Sequence, residues 1–494
     1  MTERQLTRRE FITRAAAVGA AAAMPWWSKS LEAAPAKRPN LIFILTDDQR
    51  YDAMGFMGHT PFLKTPNMDR LAREGATLTN AFVTTALCSP SRACFVTGTY
   101  AHRHGVVNNE ATDPDPSLEN FPQALQKAGY ETAYIGKWRM EKKSDPRPGF
   151  DYWLSFLGQG VYENPTFNEN GREFEAEGYM TDLLTDYAVK FLEKDREKPF
   201  CMILAHKAVH GPFTPAERHK NAFPDAVLPE PASFKDDYKG KPEWQRRMIA
   251  YGGGSKAKLL ENKDKPVPET IPPVEWNGKE PGRLNYYRTL LAVDDSIGTV
   301  LDTLEKKGIL DDTVIAFAGD NGYFMGEHRR GDKRLAYEES IRIPWLIRYP
   351  KMIKPGTKIE EMTLNIDLGP TFLDLAGAKA PKSMQGRSMK PLFGGQKHAP
   401  WRKSFFYEYF REDQYPAFPL MLGIRTENMK YVTYPDIKDI DELYDLDKDP
   451  FEMHNLAQDP AHAADLKRLK AQFERLKRET AYPEGKQIGI PPVY

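Results

Sequence analysis

The sequence contains little cysteine: Cys88, Cys94 and Cys201 are its only thiols in 494 residues. Three cysteines are too few for the disulfide framework that small secreted domains need. Charge of one sign is also missing, because lysine plus arginine and aspartate plus glutamate both number 69 and the formal net charge is zero. No overall field therefore favours nucleic acid or an acidic membrane surface, and we expect no nucleic-acid partner.

Apolar runs of membrane length are absent as well. Residues 15–24 form an alanine-rich stretch, shorter than the roughly 20 residues that a spanning helix needs. They follow the string Thr-Arg-Arg-Glu-Phe-Ile at 7–12, which resembles a twin-arginine export signal. We predict a signal peptide over 1–36, the twin-arginine export machinery as a partner, a periplasmic or extracellular location, and no stable membrane insertion.

The composition is that of a globular protein with a large core, since 40% of the residues are hydrophobic and 28% are charged. Short apolar runs occur at 41–45, 131–135, 200–205 and 314–318. Amphipathic stretches lie between them, at 68–74, 121–128, 182–192 and 287–306. Apolar runs of this length suit strands buried on both faces, and the alternation predicts an α/β layered fold with parallel strands.

The pattern changes after about residue 390. Three shorter strands and a helix are predicted there, at 404–410, 422–425, 430–433 and 463–479. Upstream, the Pro- and Lys-rich stretch 262–280 is predicted to run over the surface. We therefore divide the mature chain into a catalytic domain, 37–390, and a smaller C-terminal α+β subdomain, 391–494, whose antiparallel sheet is covered by the last helix.

Reactive side chains follow the four apolar runs, and ligands of open α/β sheets bind beyond the carboxyl ends of strands. The residues at or just after these ends include Asp47, Asp48, Lys137, His210, Asp320 and Asn321. Each alone has an ordinary explanation as a helix cap or a solvated side chain. Together they predict one polar rim. The carboxylate and amide oxygens of this rim suit Ca²⁺ better than Mg²⁺ or zinc. Its positively charged side chains indicate that the reacting group of the substrate is an anion.

The segment 88–98 is typical of a loop that enters a helix, with Pro90 in the first turn and Gly98 at the end. The free backbone amides of a helix N-terminus bind anions, and the guanidinium of Arg92 would add further hydrogen-bond donors in a fixed planar arrangement. By this reasoning Cys88 is either an inert buried thiol or a nucleophile of low pKa. The string Cys-Ser-Pro-Ser-Arg that begins at Cys88, however, resembles the signature of the formylglycine-dependent sulfatases, in the alkaline phosphatase superfamily.

The resemblance runs from about residue 39 to 457 and implies a large, mostly parallel sheet sandwiched by helices. Residues 326–344 look most like bacterial carbohydrate sulfatases, including N-acetylglucosamine-6-sulfatases. The implied reaction is hydrolysis of a sulfate ester on a glycosaminoglycan, mucin or algal polysaccharide fragment. The implied maturation partner is a formylglycine-generating enzyme, which would convert Cys88 to 3-oxoalanine (formylglycine).

The resemblance also implies a role for each matching residue. The metal ligands would be Asp47, Asp48, the modified residue 88, Asp320 and Asn321. Arg92, with the metal ion, would orient the nucleophile, and Lys137 and Lys333 would neutralise sulfate oxygens. His210 or Lys333 would protonate the leaving alcohol, and we prefer His210 because imidazole titrates near neutrality. Arg139 and His328 are assigned to substrate binding.

Arg139 departs from the family, whose members usually carry histidine after Gly-Lys-Trp. That histidine is thought to help the elimination step, and arginine cannot give up its proton. Another base, such as His102, His104 or a water molecule, would have to act, or turnover would be slow. Two alternatives stay open: a phosphodiesterase or phosphonate monoester hydrolase of the same superfamily, and a degenerate glycan-binding relative. We expect a structural role for His206.

Overall fold

The computed structural model describes residues 38–110, 112–140, 143–394, 399–485 and 488. The predicted signal peptide lies outside the described residues, and all that follows concerns the unit that begins at Pro39. Among the described helices, none combines the length and the apolar character needed to cross a membrane.

Strands and helices alternate through the first three quarters of this unit. The strands are β1 (Asn40–Thr46), β2 (Ala76–Leu78), β3 (Ala81–Phe82), β4 (Glu131–Gly136), β5 (Tyr152–Ser155), β6 (Thr166–Glu169), β7 (Arg172–Glu175), β8 (Phe200–Ala205), β9 (Thr313–Gly319), β10 (Phe324–Met325), β11 (Gly331–Asp332), β12 (Trp345–Arg348), β13 (Thr357–Ile359), β14 (Thr363–Leu364), β15 (Ser404–Tyr409), β16 (Met421–Thr426), β17 (Met429–Thr433) and β18 (Glu442–Asp445). The α-helices are α1 (Pro66–Glu74), α2 (Cys88–Thr97), α3 (Ala101–His104), α4 (Phe121–Lys127), α5 (Met180–Glu193), α6 (Glu243–Tyr251), α7 (Lys256–Asn262), α8 (Pro281–Lys306), α9 (Glu338–Ile341), α10 (Leu368–Leu375), α11 (Lys390–Phe393) and α12 (Ala463–Glu479).

A ten-stranded sheet organises the fold, in the order β13-β2-β12-β9-β1-β8-β4-β5-β6-β7. The central strand β1 pairs in parallel with β8 and β9, and β4 pairs in parallel with β8. Only β6 and β12 run against the other strands of this sheet. The large, mostly parallel sheet is thus confirmed, and the carboxyl ends of β1, β4, β8 and β9 meet at one edge.

Strand β1 is apolar throughout because both of its faces are covered. Leu41, Phe43 and Leu45 pack into one core, while Ile42 and Ile44 pack into the core on the other face. The second core also contains apolar residues of α5 and α8, which cover that side of the sheet. Full burial of such a side chain contributes about 1.5–3 kcal/mol, so a polar residue inside this strand would be costly.

The C-terminal part contains the expected antiparallel sheet, in the order β15-β16-β17-β18. Helix α12 covers it, with Leu469 and Phe473 buried. Sequence analysis missed β18, a short strand that contains the buried Glu442. It also placed the start of α8 six residues too late. The Glu280 side chain accepts the amides of Gly282 and Arg283 and caps the helix there.

Candidate active site

The ends of β1 and β9 bring three carboxylates together. Asp47 and Asp48 follow β1, and Asp320 and Asn321 follow β9. The backbone amide of Asp48 donates to Asp320 Oδ1 at 3.1 Å, and Asn321 Nδ2 donates to Asp48 Oδ1 at 2.7 Å. One oxygen from each of the three carboxylates lies within 4.8 Å of the others, and all three side chains are buried.

Helix α2 presents Cys88 to this group. Leu87 is the extended N-cap residue, Cys88 is the first helical residue, and Gly98 ends the helix in the left-handed region at φ 65°. Cys88 Sγ lies 3.6 Å from Asp47 Oδ1. Burial, together with the negative charge of Asp47, raises the pKa of the Cys88 thiol to about 12. The unmodified thiol is therefore neutral near pH 7, which argues against a thiolate nucleophile.

Arg92 bridges two of the carboxylates. Its Nη2 lies 2.8 Å from Asp47 Oδ2 and its Nε lies 2.9 Å from Asp320 Oδ2, while Nη1 donates to the carbonyl oxygen of Lys137 at 2.6 Å. Lys137 Nζ contacts Asp47 Oδ2 as well. Burial opposes the charged form of Asp47, but Lys137 and Arg92 outweigh it and hold its pKa well below the usual range.

Lys333 and His210 approach Asp48. Lys333 Nζ lies 2.5 and 2.7 Å from the two oxygens of Asp48, and His210 Nε2 lies 3.8 Å from Oδ2. Burial, reinforced by the positive charge of Lys137, lowers the pKa of His210 to about 4, whereas Asp48 overcomes burial and raises the pKa of Lys333 well above its usual value. At neutral pH Lys333 therefore carries a proton and the imidazole is neutral.

We call these residues the site cluster: Asp47, Asp48, Cys88, Arg92, Lys137, His210, Asp320, Asn321 and Lys333. Three carboxylates face the side chains of Arg92, Lys137 and Lys333, yet burial and the charge of Asp47 raise the pKa of Asp320 to about 7. Asn321 Oδ1 is buried without a hydrogen-bond partner among the described residues. Such an orphan acceptor costs about 1–3 kcal/mol. A hard divalent cation would use this oxygen and the carboxylates, so the donor set fits a metal ion.

Arg139 and His328, the two residues assigned to substrate binding, lie in different surroundings. The carbonyl oxygen of Arg139 accepts from Ser89 Oγ at 2.7 Å, which places Arg139 beside the start of α2. Its Nε has no partner in the described part of the chain. His328, in contrast, is fully buried, lies 2.7 Å from Asp236 Oδ2 and stacks on Tyr337. The structure does not bring His328 into the site cluster.

The rings of His102 and His104 form contacts outside the site cluster. The ring nitrogens of His102 lie 2.7 Å from Glu408 and 2.9 Å from the Thr480 carbonyl. His104 contacts Cys94 Sγ at 3.3 Å and accepts the Val106 amide at 3.1 Å. Neither ring has a free nitrogen to take a proton at residue 88, which removes both from the candidate bases.

His206 is fully buried, and its Nε2 lies 3.2 Å from Ser296 Oγ. Burial lowers the pKa of this histidine to about 3, so the ring is neutral in the folded protein. These surroundings fit the structural role that we expected.

Sequence analysis gave no role to two residues near the cluster. Gln159 Oε1 accepts from Lys137 Nζ, and no sequence pattern signals this contact. Lys207 is the second residue after β8, so the strand-end rule pointed to it. Burial and the neighbouring charge of Lys137 lower the pKa of Lys207 to about 8. The proton of Lys207 is therefore more easily removed than that of an ordinary lysine.

Fold and site together are those of a hydrolase with a group of carboxylates that could hold a metal ion and a cysteine at a helix N-terminus. The sequence model of the sulfatase family matches residues 39–378, and that of the C-terminal region of N-sulphoglucosamine sulphohydrolase matches 326–479. The chain belongs to the sulfatase family, and hydrolysis of a sulfate ester is its activity.

Two curated relatives are N-acetylglucosamine sulfatases. The N-acetylglucosamine-6-O-sulfatase of Bacteroides thetaiotaomicron is 37% identical over 90% of this chain and 87% of the relative. The human N-acetylglucosamine-6-sulfatase is 33% identical over 76% of this chain and 68% of the relative.

Solved structures agree with this family assignment. A structure in complex with its substrate D-glucosamine-2-N,6-O-disulfate has a TM-score of 0.80 and 35% identity, with 91% of this chain and 100% of that chain covered. The phosphonate monoester hydrolase of Silicibacter pomeroyi has a TM-score of 0.72 at 24% identity, with 90% and 96% covered. That second likeness shows a shared fold alone.

Proposed function

We propose that this protein removes the 6-O-sulfate of a glucosamine-type sugar in a sulfated saccharide. The observation that carries this proposal is the likeness over nine tenths of the chain to an N-acetylglucosamine-6-O-sulfatase. A second support is the structural neighbour that holds a 6-O-sulfated glucosamine as its substrate.

The proposed nucleophile is residue 88 after oxidation of its thiol to formylglycine by a separate maturation enzyme. The neutral buried thiol supports this modification, because it is a poor nucleophile as it stands. Asp47, Asp48, Asp320, Asn321 and the modified residue 88 would hold the metal ion. Ca²⁺ suits these oxygen ligands better than Mg²⁺ because it tolerates irregular geometry. When bound, the ion would polarise oxygens and lower the pKa of the attacking hydroxyl.

The cations of the site cluster have two roles in this proposal. Without an ion, Lys137, Lys333 and Arg92 neutralise the three carboxylates. A divalent cation would leave the cluster with an excess of about two positive charges, which suits an anionic sulfate ester. Lys137 and Lys333 would then face sulfate oxygens as charge builds up. The Lys333 ammonium would donate the proton to the leaving alcohol, with neutral His210 beside it.

Arg139 would contribute to substrate binding, a role supported by the hydrogen bond from Ser89, the neighbour of residue 88, to the Arg139 carbonyl oxygen. Since the rings of His102 and His104 are engaged, the proton released during regeneration would go to water or to Lys207. A lysine whose pKa is about 8 exchanges protons readily near neutral pH.

Export and domain organisation complete the proposal. The twin-arginine string at 7–12 supports export of the folded protein to the periplasm or beyond. We divide the mature chain into a catalytic domain, 37–390, and a C-terminal subdomain, 391–494, supported by the separate four-stranded sheet.

A sulfate-release assay tests the function. The protein, co-expressed with a maturation enzyme and loaded with Ca²⁺, is offered N-acetylglucosamine 6-sulfate, glucosamine 3-sulfate, galactose 6-sulfate and an aryl phosphodiester. We expect the highest kcat/KM with the first substrate. A preference for galactose 6-sulfate would contradict the assignment of the sugar, and a preference for the phosphodiester would contradict the sulfatase assignment itself.

A further inference from the structure

A groove of about 850 Å³ is not used by any of the steps above. The end of α6 and the glycines at 252–254 line one side of it. Residues 271–274, from the Pro- and Lys-rich surface segment, line another side, and residues 329–332 complete it. The surface segment predicted from composition therefore has a specific position as a wall of this groove.

The groove adjoins the site cluster at Asp332, which lines the groove and contacts Lys333. The carboxylate of Asp332 lies 3.7 Å from Lys333 Nζ, and Lys333 in turn contacts Asp48. The side chain of Asp332 is 40% exposed, so this end of the groove is open. A saccharide with its sulfate at Lys333 therefore has this groove available for the rest of its chain.

Arg330 is the unusual residue of the groove. It is only 8% exposed, and its Nε donates to the Tyr238 hydroxyl at 3.1 Å. Its Nη2 has no hydrogen-bond partner, and no carboxylate pairs with it, among the residues that the structure describes. The neighbouring Arg329 differs, because it donates to the carbonyl oxygens of Ile271 and Pro272 and fixes the wall.

A buried guanidinium without an anion is energetically unfavourable, and a ligand that supplies a carboxylate or sulfate removes that cost. The rest of the lining includes Tyr251, Ile271, Val274, Tyr415 and Phe418. Apolar and aromatic surfaces of this kind suit the C–H faces of a sugar ring, with a few polar groups to orient it. The combination fits an acidic sugar.

We propose that this groove is a second saccharide subsite, in which Arg330 pairs with the carboxylate or sulfate of the sugar next to the one that loses its sulfate. The inference rests on the proposed saccharide sulfatase function and adds to it. The preferred substrate is then an acidic oligosaccharide, and the isolated sulfated monosaccharide uses only part of the binding surface.

The main test compares four substrates: N-acetylglucosamine 6-sulfate alone and the same sugar linked to a uronic acid, a sulfated hexose or a neutral hexose. Arg330→Gln should raise KM about tenfold for acidic disaccharides, the loss expected for one charge-assisted hydrogen bond. The two acidic disaccharides distinguish a carboxylate from a sulfate. KM for the other two substrates and kcat for all four should stay within about twofold. Arg330→Lys should restore part of the affinity, and Lys438→Gln, at an exposed cation outside the groove, is the control.

A second pair of variants avoids the buried arginine. Val274 is 54% exposed on the groove wall, so substitution there does not disturb the core. Val274→Glu should weaken and Val274→Lys should strengthen the binding of acidic disaccharides, measured by calorimetry on a Cys88→Ala chain. Equal effects of the Arg330 or Val274 variants on acidic and neutral ligands would overturn the subsite. Absence of sulfate release from every substrate would instead contradict the 6-O-sulfatase proposal, and the calorimetry would still decide on the groove.

Discussion

Two buried clusters of charge differ in what surrounds them. The site cluster lies where strands of the large sheet end, whereas the second cluster joins the large part of the fold to the C-terminal sheet. We call this second group the inter-sheet cluster: Glu338, Arg425, Lys430 and Glu452. Glu338 lies 3.1 Å from Arg425 and 3.0 Å from Lys430, and Lys430 lies 2.6 Å from Glu452.

Both clusters balance negative with positive charge, so balance alone does not mark a functional site. The site cluster adds three carboxylates whose oxygens lie within 4.8 Å of one another and a cysteine at a helix N-terminus. The inter-sheet cluster instead links α9 to β16 and β17, with the Arg425 guanidinium also over the Phe82 ring. Closely grouped carboxylates beside a cysteine therefore characterise the first cluster, and ion pairs that connect two sheets characterise the second.

The largest expected effect comes from the two cysteines of helix α2. Cys88→Ser should reduce steady-state sulfatase activity by more than about 10⁴-fold, because one hydroxyl can attack sulfur but no geminal hydroxyl remains to expel sulfate. Cys94→Ser should keep most activity, because Cys94 Sγ contacts His104 and Thr84 and does not belong to the site cluster. Sulfate release and intact-peptide mass spectrometry provide the measurements. Multiple turnover by Cys88→Ser, or an unmodified thiol in active enzyme, would refute the formylglycine assignment.

The next prediction contrasts one carboxylate from each cluster. Asp320→Asn should lower activity by more than about 100-fold and reduce bound Ca²⁺, since it removes a charged ligand, and chelation should have the same effect. Glu338→Gln should leave the metal content intact but lower the free energy of unfolding by about 3–5 kcal/mol, because the buried Arg425 loses its carboxylate partner and Lys430 keeps only Glu452. Elemental analysis and denaturant unfolding distinguish the two. Fully active protein prepared without metal would contradict the metal site.

The sequence predicted the central strands and most of the site cluster because both have strong local signals. Continuous apolar runs require burial on both faces and so indicate the strands. Because ligands bind beyond the carboxyl ends of such strands, the polar residues that follow them were candidates, namely Asp47, Asp48, Asp320 and Asn321. Short strands such as β2 and β13, each three residues long, carry no periodic signal and were missed.

His328 was misplaced for a different reason. It follows the metal-site segment closely in sequence, but its backbone is left-handed at φ 48° and its ring is buried against Asp236. His328 is therefore close to Asp320 and Asn321 in sequence but does not belong to the site cluster in the structure. Sequence alone also cannot report that burial lowers the pKa of His210.

A smaller effect is expected at Arg139, which differs from the usual residue of the family. Arg139→His should raise the steady-state rate several-fold while the rate of the first turnover stays nearly unchanged, because only regeneration needs a base there. Rapid-quench kinetics on both proteins separates the two phases. A higher KM without a change in kcat would show instead that Arg139 binds an anionic group of the substrate.

The smallest effect is a shift in stability at Glu339, which lies between the two clusters. The carbonyl oxygen of Glu339 closely approaches Gly322, the second residue after Asp320, and its carboxyl group senses the charge of Glu452. Burial, together with Glu327 and Glu452, raises the pKa of Glu339 from 4.5 to about 8. Between these values the unfolded chain releases the proton while the folded protein keeps it, so the favourable contribution present below pH 4.5 is lost as the pH rises towards 8.

Glu339→Gln has no proton to lose and should avoid that penalty. Relative to the unsubstituted protein, the variant should gain about 1–3 kcal/mol in the free energy of unfolding between pH 5 and pH 8. Urea unfolding at the two pH values measures this difference, and Glu305→Gln, at an exposed carboxylate, is the matched control. Sulfatase activity at pH 7 should remain within about twofold, because Glu339 does not contact the site cluster through its side chain. An equal change in stability at both pH values would mean that Glu339 is already ionised in the folded protein.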